Sequence, residues 1–165
     1  MSTTYYTAVT LHVFAAIVWL GGMFFLALVG APVLRRIESP ALRQELFTKL
    51  GIHARCIGWW AIAVLVVTGT IVLHERGLLR WDVLGRGAFW GTPLGSALAW
   101  KLGSVVAMLA VSGIHDFAVG PAAGRVVAGT PDALALRRRA ALLARGSAFI
   151  GIIIVIAAVR LARGG

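Results

Sequence analysis

The sequence predicts an all-α integral membrane protein, an antiparallel bundle of four helices forming one domain over residues 1–165. Three observations predict it. Four apolar runs, at about 9–29, 52–73, 94–119 and 142–161, reach the roughly 20 residues that a bilayer span needs. With 59% hydrophobic and 13% charged residues, the chain has more apolar content than one water-soluble core can hide, and its mean hydropathy is +0.89. The links between the runs are short, and backbone polar groups in lipid must be satisfied within helices, so an antiparallel bundle is the economical architecture.

The first run contains Leu11-His12-Val13-Phe14 and continues through Trp19-Leu20-Gly21-Gly22 to Val29. His12 lies about one turn inside it, where a titratable imidazole is expensive and therefore a functional candidate. At about 100° per residue, His12, Ala16, Trp19 and Met23 share one stripe, a cofactor-binding or packing face. Ser2 to Thr7 carries no Lys or Arg, and the run is too long for an h-region, so a cleaved signal peptide is not expected. Pro32 follows the span. Ser39-Pro40 then reads as a cap with proline at the first helical position, so Ala41 to Leu50 extends the second helix beyond the membrane.

The second link, His74 to Pro93, sets Trp81, Phe89 and Trp90 among glycines, as expected of a loop lying at the membrane interface. Thr92-Pro93 and Thr130-Pro131-Asp132 are further helix starts. The latter opens a basic amphipathic lead-in, Arg137-Arg138-Arg139, whose charges face solvent or lipid headgroups. No internal repeat is visible in the sequence.

The net charge of +10 would suggest nucleic acid in a soluble protein, but no basic, aromatic-interleaved stretch lies outside the spans. Basic residues flanking spans account for it instead. Ten of the sixteen fall with the first and third links and six on the opposite side. That bias places both termini outside the cytoplasm, on the periplasmic side of a bacterial inner membrane. Cys56 is alone, so no internal disulfide exists. Paired carboxylates, a serine-histidine-aspartate set and a phosphate-binding glycine loop are all missing, which leaves hydrolytic chemistry without a basis.

The four histidines sort by depth into two layers, His12/His74 and His53/His115. His53 and His74 are 21 residues apart, about 31 Å of helix, so the layers cannot share a metal. Along the third span Lys101, Met108, Ser112 and His115 fall within about 40° of one face, which must turn inward. Cross-helix imidazole pairs are what b-type haem requires, and propionates want cations at the membrane edge. One or two haems are therefore expected on His12, His74, His53 and His115, with Lys101 and Arg160 at one end or Arg55 and Arg145 at the other serving the propionates. The function expected is that of a membrane redox or electron-transfer protein, in one form an oxidoreductase, whose partners are the lipid bilayer and a quinone or redox protein.

Two other readings stand beside it. Copper handling would use His12, Met23 and Met108, since soft copper(I) takes thioethers; otherwise these methionines are core filler. A structural accessory subunit would need none of the histidines for cofactor content. Oligomerisation is open, with Gly21-Gly22 and Gly113 offering close helix approach.

The stretch from Leu11-His12 to Trp19-Leu20-Gly21-Gly22, Thr68-Gly69 in the second span, and Trp100-Lys101-Leu102 leading to His115 resemble the CopD-like (copper-resistance protein D) and HemJ-type membrane families. The resemblance touches three of the four spans and implies a four-helix membrane domain. On the HemJ side it implies a haem b and a role in protoporphyrinogen oxidation, with His12 and Lys101 matching that family's membrane histidine and lysine. On the CopD side it implies copper uptake or tolerance. This chain departs from the HemJ pattern after Gly22: a tyrosine-rich end with a second histidine is replaced by Leu28-Val29-Gly30-Ala31-Pro32-Val33-Leu34-Arg35.

Overall fold

The computed structural model describes residues 2–127 and 130–165, and these contain helices, turns and no strand. In chain order the helices are α1 (Thr3–Arg35), α2 (Pro40–Glu75), α3 (Trp81–Leu84), α4 (Gly87–Trp90), α5 (Pro93–Arg125) and α6 (Pro131–Ala162). The four long ones are long and apolar enough to cross a membrane. Each opens on a hydroxyl cap: Ser2, Ser39, Thr92 and Thr130 accept from the backbone N–H three residues on. In α2, α5 and α6 proline follows the cap, where its missing N–H costs nothing. The expected starts at Ser39, Thr92 and Thr130 are therefore those of the fold.

Two helices outrun their expected ends. The first was expected to stop before Pro32 and the third at Val119, yet α1 runs to Arg35 and α5 to Arg125. An interior proline removes a hydrogen bond, and its ring strikes the carbonyl four residues back. Here one wide turn absorbs both effects: Ala31 N–H donates to the Leu26 carbonyl and Gly120 N–H to that of His115, five residues back in each case. A Cβ on Gly120 would stand 3.1 Å from the His115 oxygen, a tight contact, while Ala31 takes the matching place in α1.

The bundle has two distinguishable ends. At the terminal end, Ser2 Oγ donates to Glu75 and Arg76 Nη1 donates to the Leu161 carbonyl at 3.3 Å, tying the start of α1 and the end of α6 to the end of α2. There α2 closes on Gly77 at φ +68°, with Leu78 N–H reaching the Leu73 carbonyl at 3.0 Å and Gly77 N–H that of His74 at 2.8 Å, a Schellman stop. The expected interfacial loop follows as two one-turn helices, with Trp81 89% exposed and Trp90 Nε1 donating to the Leu84 carbonyl at 3.0 Å. At the far end, Gln44 of α2 donates to the Val126 carbonyl at 2.9 Å and accepts from Arg137 of α6 at 3.0 Å.

α1 packs along α2 and α5 along α6, while the two hairpins meet where α1 touches α6 and where α2 touches the far end of α5. At mid-height Trp19, Ala61 and Met108 are buried together, with Leu20, Met23, Ile62, Leu65, Ile150 and Ile154 packed around them. Gly151 of α6 faces this plug: a Cβ there would sit 2.8 Å from Leu20 Cδ2 and 3.5 and 3.7 Å from the methyls of Met23 and Met108. Gly69 of α2 makes a like close approach, to His12 of α1, whereas a Cβ on Gly21, Gly22 or Gly113 would meet nothing of this chain within 4 Å. Most apolar surface points outward. At most 22% of any apolar window is buried, and Phe14, Leu28 and Phe149 are each more than 60% exposed, as helices apolar enough to cross a membrane would be.

A repeat unseen in the sequence emerges in the fold. Each hairpin has a first helix with a proline-bearing wide turn near its far end and a second helix opened by hydroxyl-proline. The spacing from Pro32 to Pro121 is also that from His12 to Lys101, so these two residues occupy equivalent places in the two halves.

Candidate functional site

His12 comes from α1 and meets α2 near the terminal end. Its Nδ1 lies 2.9 Å from Thr68 Oγ1. The Thr68 hydroxyl has one proton, and it is directed at the Val64 carbonyl 2.6 Å away. With the hydroxyl proton so placed, the Thr68 oxygen accepts from His12 in the tautomer that carries its proton on Nδ1, and the Leu65 backbone carbonyl is a second hydrogen-bond partner of the ring. In a neutral imidazole that tautomer leaves Nε2 as a bare lone pair. Gly69 sits beside it, where a Cβ would approach His12 Cε1 to 3.2 Å, so the ring lies against backbone that no side chain covers. Thr68 is 4% exposed and the ring is partly buried.

Lys101 of α5 lies within electrostatic reach of His12, and Arg76 within reach of Lys101. No carboxylate pairs with Lys101 among the described residues. The terminal end of the bundle is therefore electropositive, a place that favours anionic groups. Arg160, on the last turns of α6, adds an exposed cation at the same end.

A second polar cluster lies at the far end, in the wide turn of α5. Asp116 Oδ2 accepts from Trp59 Nε1 at 2.9 Å, its Oδ1 pairs with His115 Nδ1 at 2.7 Å, and its carbonyl accepts from Arg55 at 2.8 Å. Phe117 completes the contact, with the Arg55 guanidinium 5.8 Å and the Trp59 ring 5.4 Å from its ring centre. This cluster fastens α2 to α5. Trp59 and Asp116 were not singled out by sequence reasoning; the available signal was the four-residue spacing of Arg55 and Trp59, which puts both on one helical face.

The expected imidazole pairs are not brought together. His74 is exposed and lies six residues beyond Thr68 on α2, a rotation of about 120° away from the face that meets His12. His53 is likewise exposed, with Nδ1 against its own helix at the Lys49 carbonyl, 2.9 Å away. It sits two residues from Arg55, hence on the opposite face from His115. Among the described residues no group of three or more His, Cys, Asp or Glu side chains assembles. Arg55 is engaged by Asp116, Arg145 is exposed on α6, and Cys56 is exposed. The inward stripe of α5 is formed as expected, with Lys101, Ser112 and His115 partly buried, Met108 buried, and Ser112 Oγ 3.6 Å from Met108 Sδ. The copper set divides: Met23 and Met108 converge on Gly151, whereas His12 stands eleven residues, about 16 Å, along α1 from Met23. His12 is thus the histidine that packs against a neighbouring helix through Thr68, while His53 and His74 are exposed.

Comparison with known proteins adds a relative of undefined role. The chain is 32% identical over 111 residues to an uncharacterized protein of Aquifex aeolicus (strain VF5), a match covering 67% of this chain and 66% of that protein, just under two thirds of its length. No family model matches the chain, and no solved structure matches it.

Proposed function

We propose that the protein is a haem b-binding redox protein of a bacterial inner membrane, with both termini periplasmic, exchanging electrons with a quinone or a redox protein. The observation that carries this reading is the seating of His12 Nδ1 2.9 Å from Thr68 Oγ1. In the tautomer with its proton on Nδ1, Nε2 offers the lone pair that iron takes, and an oriented second nitrogen is the usual support of a metal-ligating histidine. Haem, when bound, supplies one-electron chemistry. His12 would hold the iron and Lys101 would pair with a propionate at the electropositive end, whereas Arg160 faces the groove between α5 and α6. Thr68 orients the ring, Gly69 leaves it room, and the Trp19–Ala61–Met108 plug keeps water from crossing behind it. Of the one or two haems expected, this geometry supports one. The excess of basic residues at the far end supports the orientation, and the resemblance to HemJ-type proteins at His12 and Lys101 points the same way.

The test is the visible spectrum of protein purified after expression with added haem. A Soret band is expected in the native chain and in His53→Ala and His74→Ala, and is lost in His12→Ala. A native chain without a Soret band overturns the proposal. One observation favours copper as a second reading: the methyls of Met23 and Met108 meet over Gly151 in the dry centre. Copper bound by the native chain and lost in Met23→Leu with Met108→Leu, His12 being indifferent, would support it.

A further inference from the structure

The outer face of the second hairpin carries a groove that the His12 site does not use. An open groove of about 460 Å³ lies between α5 and α6, lined by Ala99, Trp100, Gly103, Ser104, Ala107, Ile150 and Ile153. That is within the roughly 300–1,000 Å³ of ligand clefts. A second cavity of about 160 Å³ shares Trp100 and Ile153 with it and continues past Ala97 and Ala157 to Arg160. The floor is low because Gly103 has no neighbour within 4 Å of where a Cβ would be. From Ala107 to Ala97 the groove climbs ten residues of α5, about 15 Å. That is half the roughly 30 Å hydrocarbon thickness, or one leaflet. It opens sideways to lipid. Its upper end holds a guanidinium that no carboxylate partners among the described residues.

We propose that this groove is a binding site for one anionic phospholipid of the leaflet at the terminal end, with an acyl chain laid along Ala107, Gly103 and Ala99 and the headgroup phosphate on Arg160. The length matches a single leaflet, the lining is apolar apart from the Ser104 hydroxyl, and the one charge stands at the terminal end with the sign that selects anionic over zwitterionic lipid. A second copy of the chain would have to bring an anion to the Arg160 end, and this chain has six acidic residues against sixteen basic ones.

The test is native mass spectrometry of the full chain extracted from mixed phosphatidylglycerol and phosphatidylcholine vesicles. One phosphatidylglycerol per chain is expected to be retained in preference to phosphatidylcholine. Arg160→Gln lowers that preference about fivefold, the weight of one basic residue at an anionic membrane surface. Ala107→Phe, which fills the lower groove from an exposed position, removes retained lipid of both kinds while helicity by circular dichroism stays unchanged. Equal retention of both lipids, retention indifferent to both substitutions, or a lipid-free dimer dispersed by Ala107→Phe overturns the proposal. Haem content plays no part in the readout, so the result stands apart from the fate of the His12 reading.

Discussion

At the scale of single residues, the decisive group is a hydroxyl. Thr68 favours the His12 tautomer with its proton on Nδ1, because the Thr68 hydroxyl lies 2.6 Å from the Val64 carbonyl and its oxygen is then left to accept. Thr68→Val keeps the shape and removes the acceptor. It is expected to destabilise the protein by about 0.6–2 kcal/mol, read from thermal unfolding in detergent, whereas Thr68→Ser stays near the native value. Equal stability of the two variants would mean that the contact carries no weight. Gly69 acts on the same ring by subtraction. Gly69→Ala brings a methyl to 3.2 Å from His12 Cε1 and is expected to shift the imidazole slightly, while Gly69→Val displaces it and abolishes haem retention. Unchanged haem content in Gly69→Val would place the working face of His12 elsewhere.

At the scale of elements, the wide turn of α5 decides which way its polar residues point. By absorbing Pro121 it sets Asp116 against α2, where the carboxylate is held by Trp59 and His115. Asp116→Leu leaves the Trp59 N–H without an acceptor, and a loss of about 1–3 kcal/mol is expected. Asp116→Asn retains an acceptor and loses less. A double-mutant cycle with Trp59→Phe checks the contact, and additive losses would show that the two side chains do not cooperate. Gly151 does for α6 what Gly69 does for α2. Gly151→Leu forces a side chain onto Leu20, Met23 and Met108 and is expected to cost about 1–3 kcal/mol by overpacking, seen as a lower unfolding temperature.

At the scale of the whole molecule, two like hairpins form a bundle with an apolar plug between two polar layers. Orientation belongs to this scale, since it depends on charge summed over all links. In a Cys56→Ser background, cysteines introduced at Ser2 and Gly165 are expected to react with a membrane-impermeant maleimide added to intact spheroplasts, and one at Val127 only after lysis. Labelling at Val127 in intact spheroplasts would reverse the topology.

The sequence by itself determined four helices long and apolar enough to cross a membrane, and their capped starts, because apolar run length and hydroxyl-proline caps are local properties that no distant contact overrides. It also marked His12, Lys101 and the inward stripe of α5. It could not determine that Pro32 and Pro121 lie within helices, because a proline ends a helix unless a wider turn takes up its ring, and such a turn has no sequence signature of its own. Nor could depth alone tell which histidines meet. His12 and His74 share a level, but their directions depend on how α1 and α2 are rotated against each other, and only the tertiary structure fixed that rotation. It did so by seating His12 on Thr68 and Gly69, where α2 has a hydroxyl to receive the ring's proton and no side chain to exclude the ring.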